Sequence, residues 1–420
     1  MNWIGELPTD WKTVPVKRLA AIYNGATPKS GVDELWNGDI NWFTPTDLEN
    51  DGVTELSESS RKLTRLGLNS CAAQIAPAGS VVLSSRAPVG SVGVTTLEAA
   101  TNQGCRTLAP FNNYPPKLLA NTLLAAREQL QLASNGTTFL ELSTRALADF
   151  KLPVPPASEW SVLLDHLNRA TTRIDALVAK KTRFIELLRE KRQALITHAV
   201  TKGLDRDVAM KDSGVEWLGV VPAHWDVVQS RRLFSERNEK ARADDQQLTA
   251  SQKYGLLPQA EFMEREGRRI VVVQKGHDIL KRTLPGDFVI SMRSFQGGLE
   301  LSEYEGSVSS AYVPITPIKW VVPAYFRWAF KSITYIQALQ ATSDLVRDGQ
   351  ALRFENFTKV PLPHVPVDEQ IAIADFLDRA TARIDTLIAK TERSIELLRE
   401  HRTALITAAV TGKIDLRPAA

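Results

Sequence analysis

The sequence predicts an α+β protein in which two globular α/β modules alternate with two long antiparallel coiled-coil helices, as a pseudo-twofold internal repeat. Residues 169–205 recur as residues 379–415, with 25 of 37 aligned positions identical. The opening residues 3–19 have a counterpart in residues 217–233, which lie 214 positions later. A period this long indicates a duplicated domain-plus-helix unit, because solenoid repeats span only about 20–50 residues.

Composition is that of an ordinary globular protein. The 420 residues are 43% hydrophobic and 24% charged, and the net charge of +3 permits a polyanion partner without requiring one. The two cysteines, Cys71 and Cys105, have no paired spacing, which predicts a reducing compartment and no metal framework. With neither a signal-peptide pattern at the N-terminus nor an apolar run of about 18 residues, a cytoplasmic protein is expected.

The first module is predicted over residues 1–157 and the second over residues 206–367. The two share one local pattern: Gly, a polar residue, three apolar residues, Ser, any residue and Arg, at residues 79–86 and again at residues 286–293. A turn followed by a buried strand is expected there, with Ser and Arg at the far end of the strand. Short buried strands are predicted at residues 81–83, 270–273 and 288–290. Elsewhere the modules differ almost completely, as two modules that read different targets would.

The helices are predicted over residues 158–205 and 368–415. Residues 159–202 contain no Pro or Gly, and their apolar residues are separated by sums of three and four, which places them in one stripe. A helix of this length is roughly 66 Å long. Its natural partner is its own duplicate, in an antiparallel two-stranded coiled coil. Acidic and basic residues alternate along both copies, which argues against a phosphate-binding role.

A second contact surface is predicted on these helices. Leu187 and Leu397 lie off the main apolar stripe in both copies. Together with their neighbours Leu188 and Leu398, they are predicted to bind another protein.

Catalytic motifs are absent from the sequence. There is no G-x-x-x-x-G-K-[ST] loop, no H-E-x-x-H and no Cys/His metal spacing, and no Gly-rich strand-to-helix turn. The triplet Pro-Gly-Asp at residues 285–287 resembles the start of a nuclease signature, but no Glu-x-Lys follows it. We therefore expect no catalytic centre in this chain.

Several stretches carry a resemblance to the specificity subunits of type I restriction–modification enzymes. These are LLREKRQALITHAVTKG at residues 187–203 and LLREHRTALITAAVTGK at 397–413, PVDEQ at 366–370, GATP at 25–28, WNGDINW at 36–42, TPTD at 44–47 and LPGD at 284–287. The duplicated order of these stretches covers essentially the whole chain.

The resemblance implies a non-catalytic, sequence-specific DNA-binding subunit. Each module would be a target recognition domain for one half of a bipartite, asymmetric DNA sequence, and the helices would set the spacer between the half-sites. Two methyltransferase (modification) subunits carrying S-adenosylmethionine would dock on the chain, and ATP-dependent restriction subunits would join them. The chain itself would hold no cofactor; S-adenosylmethionine, ATP and Mg are expected on its partners.

The DNA-contacting residues that follow from this resemblance are polar or aromatic side chains of the two modules. The leading candidates are Arg86 and Arg293 with Ser84 and Ser291, followed by Lys29, Trp42, Asn102 and Gln103 in the first module and by Lys281, Gln296 and Ser309 in the second. Recurrence of the arginine in both halves fits a structural ion pair as well as it fits a DNA contact.

Two other functions are compatible with parts of the sequence. A structural coiled-coil adaptor with two protein-binding heads would explain the mixed helix charges. A self-contained nuclease or methyltransferase is disfavoured by the missing motifs.

Overall fold

The computed structural model describes residues 3–414 except 87, 135–140, 268, 270–278, 292–293, 319 and 343–352. The chain divides into two compact units: the first is Met1–Thr182 with Glu392–Ala420, and the second is Arg183–Thr391. Each unit therefore contains one module and part of each long helix. The predicted strand at residues 270–273 lies outside the described residues.

The first unit is mixed α/β. Its strands are β1 (Lys12–Pro15), β2 (Ala20–Asn24), β3 (Trp36–Phe43), β4 (Val53–Leu56), β5 (Lys62–Leu63), β6 (Val81–Ser84), β7 (Val92–Thr95), β8 (Ala99–Thr101), β9 (Cys105–Pro110) and β10 (Lys151–Val154). Its module helices are α1 (Arg65–Asn69), α2 (Pro116–Ala125), α3 (Arg127–Leu132) and α4 (Thr144–Asp149). The long helix α5 (Trp160–Lys202) begins in this unit.

The second unit is also mixed α/β. They are β11 (Met210–Asp212), β12 (Val220–Pro222), β13 (Asp226–Val228), β14 (Phe234–Glu236), β15 (Leu248–Ser251), β16 (Gly255–Pro258), β17 (Lys281–Thr283), β18 (Phe288–Ile290), β19 (Glu300–Leu301), β20 (Gly306–Val308), β21 (Val313–Pro317) and β22 (Leu362–His364). The helices are α6 (Gln259–Glu266), α7 (Ser294–Gly297), α8 (Pro323–Ala329), α9 (Ile333–Ala341), α10 (Phe354–Thr358) and the second long helix, α11 (Val367–Val410).

The same strand frame occurs in both units. The central sheet of the first unit has the order β2-β9-β6-β7-β4, and that of the second has the order β14-β21-β18-β19. Ala20 pairs with Pro110 in the first, and Phe234 pairs with Pro317 in the second. The predicted strands at 81–83 and 288–290 are therefore confirmed as the equivalent strands β6 and β18, which are fully buried in each module.

Each core includes residues of both long helices. In the first unit, strand β6 and helix α2 pack with Leu163 and Leu167 of α5 and with Ile406 and Val410 of α11. In the second unit, a cluster centred on Phe234 packs with Val200 of α5 and Leu377 of α11. Low-numbered residues of one helix thus lie beside high-numbered residues of the other within each unit, which is an antiparallel arrangement.

The N-terminus of each long helix is fixed by a tryptophan of its module. Trp11 Nε1 donates to Glu159 Oε2 at 3.0 Å, and Trp225 Nε1 donates to Glu369 Oε2 at 3.0 Å. The carboxylates lie in the first turn or just before it, where negative charge is favourable to a helix. This contact explains why the Trp-rich opening element recurs in both halves.

Candidate nucleic-acid interface

The loop between β2 and β3 of the first unit rests on two tryptophans. Trp42 Nε1 donates to the carbonyl oxygen of Ala26 at 3.0 Å, and Trp36 Nε1 donates to that of Lys29 at 3.2 Å. The two indoles meet edge to face, with ring centroids 5.1 Å apart. Because both indole N–H groups hold loop carbonyls, the side chains of Thr27 and Lys29 are directed to solvent, and both are exposed.

Close approach of two backbone segments shapes this region. A Cβ on Gly25 would lie 1.9 Å from the carbonyl oxygen of Asn102, so only glycine fits there. Asn102 Oδ1 accepts from the backbone N–H of Gly104 at 2.9 Å, which forms the turn before β9. Gln103, at the tip of this turn, is exposed and its Oε1 accepts from the hydroxyl of Thr27. The predicted residues Lys29, Asn102 and Gln103 are thus brought together.

Arg61 completes the surface and was not predicted from the sequence. Its guanidinium carbon lies 3.6 Å from the centroid of the Trp36 ring. The side chain is exposed, and within the described part of the chain its guanidinium has no carboxylate partner. We call Thr27, Lys29, Arg61 and Gln103 the Trp36 surface. It presents two cations and two polar side chains on a rigid aromatic base, a combination that suits contacts to phosphates and base edges.

Arg86 lies near this surface, but its positive charge is paired with the carboxylate of Glu141. Its guanidinium Nη2 is 3.2 Å from Glu141 Oε2, and Arg106 Nη2 approaches Glu141 Oε1 at 3.5 Å. Arg106 Nη1 also donates to the carbonyl of Gln103 at 3.0 Å, which connects this ion pair to the Trp36 surface. The contacts of Arg86 are those of the structural ion pair that the sequence left as an alternative. Its counterpart, Arg293, lies outside the described residues.

Three predicted contact residues are buried and cannot touch DNA in this conformation. Trp42 is only 4% exposed because it supports the loop. Ser84 is fully buried; its hydroxyl donates to the Pro88 carbonyl at 2.6 Å and accepts from the Ser91 N–H at 2.8 Å. Ser291 is also buried, and its backbone N–H donates to Ser294 Oγ at 2.9 Å. The described contacts of both serines lie inside the protein, so their contact with DNA stays a prediction that this burial does not support.

The predicted residues of the second unit do not form one cluster. Lys281 and Ser309 lie close together because β17 pairs with β20, with Lys281 opposite Val308. Ser309 is exposed, whereas Lys281 is half-buried with its Nζ 3.8 Å from Glu236 Oε1. Gln296 instead lines a cleft beside the long helices, together with Arg192 and Trp328.

The predicted partner-binding leucines also differ from one another. Leu187 and Leu397 are 46% and 50% exposed, respectively. Leu188 is 8% exposed, so its side chain is not available to a partner and belongs to the apolar stripe of the helix. Leu398 is half-buried. The exposed pair Leu187 and Leu397 stays a prediction for partner contact.

Other kinds of site are not evident in the described ranges. No cluster of three or more His, Cys, Asp or Glu side chains suited to a metal ion occurs among those residues. Nor does any helix there have the length and apolar character needed to cross a membrane.

Two solved structures share the fold of this chain. The chain superposes on the crystal structure of the HsdS subunit from Thermoanaerobacter tengcongensis with a TM-score of 0.53 and 14% sequence identity, covering 99% of this chain and 100% of that one. A chain from a structure of a type I R-M system gives a TM-score of 0.65 at 15% identity, covering 97% of this chain and 100% of that chain. At these identities the likeness establishes the fold.

Sequence comparison finds matches to specificity subunits of type I restriction enzymes. Residues 8–186 match the family model for the type I restriction modification DNA specificity domain. The Methanocaldococcus jannaschii type I restriction enzyme MjaIX specificity subunit is 32% identical over 187 residues, 44% of this chain and 42% of that protein. The Escherichia coli EcoR124I/EcoR124II specificity subunit is 24% identical over 215 residues, 50% of this chain and 46% of that protein.

These matches span less than half the length of the two relatives. Residues 8–186 nevertheless match the type I restriction modification DNA specificity domain, and the resemblance to specificity subunits predicted from the sequence is confirmed.

Proposed function

We propose that this chain is the non-catalytic, sequence-specific DNA-binding subunit of a type I restriction–modification enzyme. In this proposal each module reads one half of a bipartite, asymmetric target. The main support for this proposal is a contrast between two parts of the chain. The strands and long helices are repeated in both units, whereas the side chains on the surfaces of the two modules differ. Two readers of different half-sites need a common frame and different contact residues, and the specificity-domain match of residues 8–186 supports that interpretation.

The Trp36 surface is the proposed DNA contact of the first module. Its two exposed cations supply attraction to phosphates, while Gln103 and Thr27 supply the donors and acceptors that distinguish base edges. Stacking on Trp36 limits the conformations open to Arg61, so less side-chain entropy is lost when it binds.

The long helices are proposed to act as an antiparallel coiled coil that sets the distance between half-sites. Helices of 43 and 44 residues are each about 65 Å long. Half-sites one DNA turn apart are separated by roughly 34 Å, which is within that length. Near-identical helices also offer two equivalent surfaces, so that two copies of one methyltransferase subunit could bind through Leu187 and Leu397.

The partners would supply the chemistry. We propose two methyltransferase subunits carrying S-adenosylmethionine, with restriction subunits carrying ATP and Mg. Co-expression with a type I methyltransferase subunit from the same organism, followed by mapping of modified adenines, is expected to show modification only at a bipartite site.

DNA recognition itself is tested by selection from a random-sequence duplex library with the purified full-length chain. We expect enrichment of two defined half-sites with a fixed spacer, and affinity that falls with rising salt because bound cations are released from DNA. Enrichment of no sequence would favour a coiled-coil adaptor with two protein-binding heads. Cleavage or methylation of DNA by the chain alone would contradict the non-catalytic role.

A further inference from the structure

An arginine–aspartate pair joins the two long helices within the first unit. Arg402 Nε donates to Asp175 Oδ1 at 2.9 Å, and its Nη2 donates to Oδ2 at 3.2 Å. This bidentate geometry fixes the plane of the guanidinium. The remaining Nη1 donates to the backbone carbonyl of Asp51 in the module at 2.7 Å. Arg402 therefore contacts both the other helix and the recognition module.

The module loop that Arg402 contacts is connected to the candidate interface. Asn50 Oδ1, next to Asp51, accepts from the hydroxyl of Ser91 at 3.1 Å. The Ser91 N–H donates to Ser84 Oγ at 2.8 Å, at the end of strand β6 and two residues before Arg86. Hydrogen bonds, together with the peptide link between Asn50 and Asp51, thus connect the helix pair to the end of β6, at the edge of the module that carries the Trp36 surface.

The duplicated pair is present in the second unit. Arg192 Nε donates to Asp385 Oδ1 at 2.9 Å, and Nη2 donates to Oδ2 at 3.3 Å. Arg192 and Arg402 are equivalent in the repeat, as are Asp175 and Asp385. In this unit the arginine contacts its module through an aromatic ring, because the Arg192 guanidinium carbon lies 5.6 Å from the Trp328 ring centroid. Trp328 Nε1 in turn donates to Asp378 Oδ1 of α11 at 2.8 Å.

These contacts are well placed to resist rotation of a module on the helices. In the first unit the apolar contacts with Leu163 and Leu167 of α5 and with Ile406 and Val410 of α11 form one anchor. Arg402, one turn from Ile406, adds a second, polar anchor. Two separated anchors prevent swivelling about either one. Lengthening a DNA spacer by one base pair rotates a half-site by roughly 35°, so a module held at two points cannot follow it.

We propose that Arg402 and Arg192 are positioning residues that fix the orientation of each recognition module on the helix pair and so narrow the half-site spacings that the protein accepts. This inference rests on the proposed function. A surface ion pair would contribute little to stability on its own. The proposed effect is instead on selectivity for spacer length.

The test uses the full-length chain and labelled duplexes bearing the half-sites selected by the wild type, with the selected spacer or one base pair more or less. For Arg402→Ala we expect the preference for the native spacer to fall by about threefold, with the same bases preferred in each half-site. Arg393→Ala is the matched control, because Arg393 lies on the same helix and pairs with Glu396 of that helix. It should leave the spacer preference unchanged.

A charge swap separates module positioning from helix pairing. The double variant Asp175→Arg/Arg402→Asp restores an ion pair between the helices but places no guanidinium at the Asp51 carbonyl. It should melt near the wild-type temperature yet show the weakened spacer preference of Arg402→Ala. The inference would be overturned if Arg402→Ala lost affinity equally for duplexes of all spacer lengths. It would also be overturned if the double variant kept the wild-type preference for the native spacer. A wild-type chain that selects no bipartite sequence would instead remove the proposed function.

Discussion

Arg61 and Arg86 are exposed arginines of the first unit in very different surroundings. Arg86 faces Glu141, whereas Arg61 stacks on Trp36 and has no carboxylate partner among the described residues. A guanidinium that is already paired with a carboxylate must give up that carboxylate before it binds a DNA phosphate. An unpaired guanidinium gives up only water and counterions. The sequence pointed to Arg86 because it recurs in the repeat. The environment points to Arg61.

Replacing Arg61 tests this distinction. Arg61→Ala is expected to weaken binding of the selected duplex about tenfold and to relax base preference in one half-site only, as measured by fluorescence anisotropy. Arg173→Ala, which removes the same charge from an exposed position on α5, should have a much smaller effect. Equal losses for the two variants would show that Arg61 contributes only general charge.

The two cysteines give a second test at the residue scale. Burial raises the pKa of Cys105 to about 12, with a smaller contribution from Asp47. Since the thiolate is the reactive form, Cys105 should remain unreactive between pH 7 and pH 9. In a Cys71→Ser variant, a thiol-reactive dye is expected to label the native protein very slowly and the unfolded protein rapidly. Rapid labelling of the native variant would contradict the burial of Cys105.

Among the secondary-structure elements, the start of α11 depends on one carboxylate. Glu369 accepts from the fully buried Trp225 indole and lies 2.6 Å from His224 Nε2. Glu369→Ala leaves the indole N–H without its acceptor, which costs about 1–3 kcal/mol. Thermal unfolding of the full chain should show a lower Tm, while Glu369→Gln, which keeps an acceptor oxygen, should lose less. An unchanged Tm for Glu369→Ala would contradict this assignment.

The long helices were predictable because their signal is local. The absence of Pro and Gly from residues 159–202 and the apolar spacing predicted a helix over residues 158–205, and the observed helix, Trp160–Lys202, begins two residues later and ends three residues earlier. Strands β6 and β18 were predictable from the repeated Gly-to-Arg pattern for the same reason.

Side-chain surroundings in the modules were not predictable, because they depend on distant segments. Trp42 was predicted to contact DNA, but the loop at residues 25–29 folds over it and buries it. Arg61 gained its role from Trp36, 25 positions earlier in the sequence. Ser84 and Ser291 were correctly placed at strand ends, yet both residues are buried there. Long-range packing decides the cases of Trp42 and Arg61, whereas the partners of the two serines lie three to seven positions away in the sequence.

For the whole molecule, the duplication assigns assembly and DNA reading to different parts of the chain in this proposal. The repeated frame and helix contacts, including the Arg–Asp and Trp–Glu pairs, occur in both units. The side chains proposed to read DNA occur in segments that differ. A protein built in this way could change the bases it reads without changing its assembly, and could change half-site spacing without changing the bases.

The most direct measurement of this central claim alters the helices alone. Inserting four residues at matched positions, after Arg183 in α5 and after Arg393 in α11, adds about 6 Å to each helix while preserving their pairing. Selection from the random duplex library should then return the same two half-sites with a spacer longer by one or at most about two base pairs. An unchanged spacer, or altered bases within the half-sites, would contradict the assignment of distance to the helices and of recognition to the modules.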